Sequence, residues 1–152
     1  MGVFRSKKMK KEIIELLLKS KAIRNRQEDT EKIKSIISSS EINVKVTKKI
    51  SLNEDTTTLI FREIYESIRQ LGDSKWWLLG YEPLNHEASL EIIEEFNIKN
   101  KLKLNSLDRF KKIRHDLNYR GFRATISQAE EILDFWDKCG EEIINILKRE
   151  IK

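Results

Sequence analysis

Proline is almost missing from this chain, with Pro83 the only one in 152 residues, and glycine is scarce at five. These residues break helices and shape tight turns, so their scarcity predicts long uninterrupted elements, and helices suit them best. Cysteine occurs once, at Cys139, which excludes an intrachain disulfide framework or a cysteine-rich zinc site and makes a reducing cytoplasm the simplest compartment. Histidine occurs twice, at His86 and His115. With no Glu-x-x-His spacing beside them, a metal-binding bundle has little to be built from, and neither a metal nor another cofactor is expected. No hydrophobic run approaches membrane-spanning length.

Hydrophobic residues make up 39% of the chain and recur at regular intervals, which argues against disorder despite 36% charged residues. At this length one compact domain needs no disulfide or metal to support its core. Residues 1–50 read as N-terminal helices and a connection, and residues 51–152 as the helical core of the same domain. The opening "MGVFRSKK" matches the N-myristoylation pattern at Gly2 and Ser6, with a basic cluster behind it.

The helical stretches can be placed from periodicity and caps. "KMKKEIIELLLKSKAIRNR" puts Ile13 and Leu17 on one side with Ile14 and Leu18 beside them, and Asp29 or Thr30 can cap a second helix carrying Ile33, Ile36 and Ile37. Residues 42–50, "INVKVTKKI", alternate apolar and polar side chains and predict an extended connection or a single strand. "SLNE" then offers a capping box through Ser51 and Glu54, predicting a long helix from that point with Ile60, Ile64, Ile68 and Leu71 as its stripe. "GDSKWWLLGYEP" predicts an irregularity followed by an end. "NHEASLEIIEEF" restarts a helix, and Ser106 is placed to cap another that runs toward Tyr119 and stops at Gly121. The last helix opens with a "TISQ" capping box and returns Ala129, Ile132, Trp136, Cys139, Ile143 and Leu147 to one face. Cys139 there reads as a small core residue, and Trp76 and Trp77 as apolar anchors. The expected fold is an all-α antiparallel bundle of five or six helices.

The net charge of +5 understates the asymmetry. Residues 1–26 carry nine Lys/Arg against two Glu (9 − 2 = +7), residues 97–123 carry nine against two Asp (9 − 2 = +7), and residues 82–95 hold five Glu and no Lys or Arg. Such polarisation suits a phosphate backbone, although a solvated surface has the same composition.

Within the second basic region, "SLDRFKKIRHDLNY" on a helical wheel places Leu107, Phe110, Ile113 and Leu117 within a sector of about 120°, and Arg114 falls inside it. An inward guanidinium needs an acceptor, a second chain or a wet cleft, or must reach water past its own packed stem. Arg114, His115, Asn118, Tyr119, Arg120 and Arg123 together concentrate phosphate-binding and proton-transfer chemistry in ten residues.

The "RHDLNY" stretch resembles the active-site motif of the HEPN domains (higher eukaryotes and prokaryotes nucleotide-binding): arginine, then Asn, Asp or His, then three or four residues, then histidine. Tyr119 stands at the histidine position, as in the Arg-His-x-x-x-Tyr form. "LLGYEPLNHEASLEIIEEF" is similar to the glycine and "sHe" elements of the family at Gly80, His86 and Glu87, and the likeness spans roughly residues 51–152. The resemblance implies a homodimeric helical bundle acting as a metal-independent RNase. Such proteins are often toxins of toxin–antitoxin pairs restrained by a minimal nucleotidyltransferase.

On that likeness Arg114 stabilises phosphate charge, His115 moves a proton, and Tyr119 with Asn118 positions the phosphate or leaving oxygen. Arg120 and Arg123 bind substrate. The alternative is a non-catalytic module for nucleotide, RNA or protein. An ordinary phenol is ionised in only about one molecule per thousand at neutral pH, so Tyr119 suits hydrogen bonding better than proton abstraction. Arg114 and Tyr119 also lie about 140° apart on an ideal wheel, so the helix must end or distort before Tyr119 for both to meet in one site.

Overall fold

The computed structural model describes residues 7–151, with side chains from residue 11 onward; the lipidation pattern at Gly2 lies outside the described residues. Helices α1 (Lys7–Lys19), α2 (Thr30–Thr47), α3 (Thr57–Leu78), α4 (His86–Ile93) and α5 (Leu107–Tyr119) are followed by α6 (Ile126–Phe135) and α7 (Glu141–Glu150). A π-helical turn, Trp136–Gly140, joins α6 and α7 into one rod, which gives six helical rods and an all-α fold. No described helix is long and apolar enough to cross a membrane.

Helix α3 is the axis of the bundle. Lys32 lies over the Trp77 ring at one end of α2, while the Asn43 amide donates to the Glu63 carbonyl (3.2 Å) and to Ser67 Oγ (3.2 Å) nearer the other, so α2 runs antiparallel to α3. Helix α5 is antiparallel to α3 as well, whereas the last rod is parallel to it: Thr57 Oγ1 donates to the Ala124 carbonyl (2.6 Å) and Lys75 pairs with Glu150 (2.8 Å). Phe61, Phe110 and Phe135 meet edge to face at 5.9 and 5.5 Å in the main core. A second apolar cluster gathers Ala22, Ile23, Trp76, Ala88 and Ile92 under Ile13, Ile14, Leu17 and Leu18 of α1.

Several sequence expectations need correction. Residues 42–47 are helical, not extended: α2 buries Ile33, Ile37, Ser40, Val44 and Thr47, a helical stripe two of whose members are polar. Ser40 and Thr47 can be buried because their hydroxyls donate to carbonyls of their own helix, Ile37 (2.8 Å) and Asn43 (2.7 Å). Ser51 and Glu54 do not start α3. Asn53 Oδ1 accepts from the Asp55 and Thr56 N–H groups at 2.9 and 3.2 Å, Thr56 Oγ1 accepts from the Asn53 N–H, and the helix begins at Thr57. Ser106 makes no side-chain cap; it ends a 3₁₀ turn, Lys101–Ser106, which feeds α5 directly. Asp29 and the Thr125–Gln128 box do cap α2 and α6.

The strands lie elsewhere. α1 and α2 are separate, split by Lys21 at φ 62° and by β1 (Ile23–Asn25), which pairs antiparallel with β2 (Tyr81–Pro83). Glu82 clamps the ribbon by accepting from Arg24 Nε (2.6 Å) and Arg26 Nε (2.5 Å), bonds that hold its carboxyl down at about 2. Helix α3 runs through Gly72 without a break. An added Cβ there would lie 1.9 Å from the Ser89 carbonyl oxygen, so the missing side chain is what lets α4 cross α3 so closely. That crossing is locked by Trp76 Nε1 donating to the Ala88 carbonyl (2.8 Å) and Ser89 Oγ donating to Asp73 (2.5 Å).

Candidate functional site

Leu107, Phe110 and Leu117 anchor α5 against α3 and α6, and the same stripe turns Arg114 inward. Its guanidinium is half-buried above the Tyr65 ring, 5.6 Å from the centroid. Among the described residues it makes no hydrogen bond and no ion pair. The nearby carboxylates are occupied. Arg69 bridges Glu66 (Nε to Oε2, 3.1 Å) and Asp73 (Nη1 to Oδ2, 2.7 Å), and Ser89 also donates to Asp73.

Arg114 acts electrostatically on groups of both α3 and α4. Burial pushes the Tyr65 phenol up to about 12 even though Arg114 and Arg69 oppose the shift. Burial would also raise Glu66, but its bonds to Arg69 and the charges of Arg69, His86 and Arg114 outweigh that and hold it below the ordinary range. Asp73 goes up because burial exceeds the pull of Arg69 and Ser89. His86, the first residue of α4 after the Asn85 cap, is depressed by burial and then by Arg69 and Arg114, which favours the neutral imidazole. Lys111 pairs with Glu87 at 3.0 Å, fastening the start of α4 to α5 one turn before Arg114. The "NHE" and "RH" stretches, 29 positions apart in sequence (115 − 86 = 29), are thereby neighbours in space.

The remaining sequence candidates lie on the outer side of α5. His115 is exposed, with its ring 4.9 Å from that of Tyr119 and Nδ1 3.8 Å from Asp116. Tyr119 is 72% exposed. Helix α5 stays regular through Tyr119 and ends only at Arg120 and Gly121 (φ 69°), so the distortion required to bring Tyr119 beside Arg114 in one chain does not occur. Asn118 Oδ1 accepts from Arg62 Nε (3.0 Å), and Arg62 also donates to the Leu117 carbonyl (3.0 Å). Arg120 stands over the Phe122 ring at 4.9 Å and only 4.0 Å from Asp116. Arg123 donates to the Asp55 carbonyl (3.0 Å), tying the α5–α6 loop to the approach to α3.

Part of the basic character of residues 97–123 is neutralised. Lys103 pairs with Asp134, Arg109 with Glu131 and Lys111 with Glu87. Among the described residues, Arg62, Arg114 and Arg123 lie near the end of α5 with no carboxylate in pairing range, and Arg62 is one the sequence reading missed. Its signal is a charged stripe on α3, Arg62, Glu66, Arg69 and Asp73, running beside the apolar one. Among the described residues no group of three or more His, Cys, Asp or Glu is placed to hold a metal ion.

No protein-family model, curated protein or solved structure matches the chain.

Proposed function

We propose that this is an RNA-directed helical protein of the HEPN type that receives a phosphodiester at Arg114 and cleaves it without metal. The observation that carries this reading is the half-buried Arg114 guanidinium with no hydrogen bond or ion pair among the described residues. A partly buried cation without a partner is free to take an anion, and the planar fork of arginine suits phosphate oxygens. His86, whose protonation is opposed by burial and then by Arg69 and Arg114, adds a hydrogen-bonding group near this cation.

Arg114 and His115 leave α5 about 100° apart, so one chain does not aim both at the same atom. A homodimer supplies both if Arg114 of one copy and His115 of the other face one phosphodiester. His115 then takes the proton of the ribose 2′-hydroxyl, the 2′-oxygen bonds to phosphorus, and the bond to the 5′-oxygen breaks. The leaving oxygen gains a proton, giving a 2′,3′-cyclic phosphate and a 5′-hydroxyl, with Arg114 stabilising charge on the phosphoryl oxygens. A minimal nucleotidyltransferase is the protein partner that goes with this reading. The same split between Arg114 and His115 favours a second reading, binding of RNA or nucleotide without cleavage.

Incubation of the purified protein with single-stranded RNA in EDTA separates them. Cleavage by the native chain that is abolished by Arg114→Ala supports the enzyme. Equal cleavage by both, or none by either, removes it.

A further inference from the structure

Two aromatic rings are left in solvent at the end of α5, and they are the only aromatic members of the exposed large apolar residues described: Tyr119 at 72% and Phe122 at 52% exposure. They are three positions apart, with Gly121 at φ 69° turning the chain between them. Each ring has a cationic or cation-forming neighbour. The His115 imidazole lies 4.9 Å from Tyr119, tilted by 45°, and the Arg120 guanidinium 4.9 Å over Phe122. Leu59, also exposed, sits on the first turn of α3 next to Thr58, whose Oγ1 accepts from the Ala124 N–H at 3.0 Å.

The charge around these rings is positive on balance. Arg62 and Arg123 bond only to uncharged oxygens, those of Asn118, Leu117, Glu54 and Asp55, so each keeps its full charge. Arg120 has Asp116 only at 4.0 Å. Two copies apposed through Tyr119 and Phe122 themselves would set Arg120 and Arg123 of each against those of the other, which like-charge repulsion disfavours, whereas the dimer that brings Arg114 to His115 needs only the preceding turn of α5. A strand carrying a negative backbone and flat bases satisfies both features at once, because aromatic faces stack on any base while the cations follow the phosphates.

We propose that Tyr119 and Phe122 form a stacking platform for the unpaired bases of a single-stranded RNA, with Arg62, Arg120 and Arg123 holding its backbone. This rests on the RNA-directed reading above for its ligand class, and it gives Tyr119 a task that needs the ring and not the hydroxyl. Tyr119 leaves α5 about 140° from Arg114, so the ring orients the strand and does no chemistry, while Arg62 is held against Asn118 one turn beyond Arg114.

Fluorescence anisotropy with a labelled 2′-O-methyl oligouridylate, which lacks the nucleophilic hydroxyl, reads binding alone. The native chain should prefer it to an abasic oligomer of equal length and to a blunt duplex. Tyr119→Ala and Phe122→Ala should each weaken it about tenfold, and Tyr119→Phe should leave it within about twofold. Both side chains are exposed, so thermal denaturation should confirm unchanged folding. Equal affinity for the abasic oligomer, no effect of Tyr119→Ala, or Tyr119→Phe falling as far as Tyr119→Ala would each overturn the proposal. So would a change of sedimenting mass in the alanine variants without a change in RNA affinity, which would mark the patch as a contact between copies. Arg114→Ala separates this outcome from that of the cleavage reading: it should leave the preference for bases over the abasic strand intact, whatever it does to cleavage.

Discussion

Replacing Gly72 with alanine puts a methyl group where α4 crosses α3, 1.9 Å from the Ser89 carbonyl oxygen and 2.6 Å from its carbon. The obstacle is backbone, not the movable end of a side chain, so α4 must shift outward by more than an ångström. Overpacking of this kind costs about 1–3 kcal/mol, and more when backbone has to move. The shift also strains the bond from Trp76 Nε1 to the Ala88 carbonyl, worth about 1 kcal/mol. Alanine returns about 1 kcal/mol through its better helix propensity. The net loss is about 1–3 kcal/mol, which for a chain of this size lowers Tm by about 2–12 °C. Thermal unfolding followed by circular dichroism measures it. A Gly72→Ala variant as stable as the native chain would refute the crossing, and with it the placement of His86 beside Arg114.

His86 should titrate below the ordinary histidine range in an NMR series, because burial and then Arg69 and Arg114 oppose its protonation. Removing Arg114 should raise its midpoint while leaving it short of the ordinary value, since burial remains. A folded value below the unfolded one means that this contribution to stability is present above the unfolded range and is lost as pH falls through the folded midpoint; an unchanged midpoint in Arg114→Ala would show the two groups to be apart. Cys139, whose thiol burial pushes up to about 11, should resist iodoacetamide at neutral pH until the chain unfolds. Rapid alkylation of the native protein would contradict its place in the core.

The all-α class was legible because Ile60, Ile64, Ile68 and Leu71, and later Ala129 through Leu147, repeat at helical spacing with few breakers between them. Residues 42–47 misled because Ile42 and Val46 are 58% and 54% exposed, so the apolar pattern points away from the buried stripe, which is completed by Ser40 and Thr47. The π turn at Trp136 also escaped pattern reading. Gly140 marks it only in space, where a Cβ would meet the Trp136 ring at 2.7 Å. The inward lean of Arg114 was readable from the wheel alone. Its surroundings were not, since Tyr65 meets it by the packing of α3 on α5 and His86 is brought near it by the α3–α4 crossing at Gly72, where one missing methyl group leaves no periodic signature.

The availability of Arg114 to phosphate is tested most directly by the salt dependence of RNA affinity. Each phosphate neutralised by the protein contributes a slope of about −0.7 on single strands in a plot of log affinity against log salt. The Arg114→Ala variant should bind more weakly than the native chain and lose about one such increment of slope. Parallel lines of equal affinity for the two proteins would mean that this guanidinium never meets the RNA backbone.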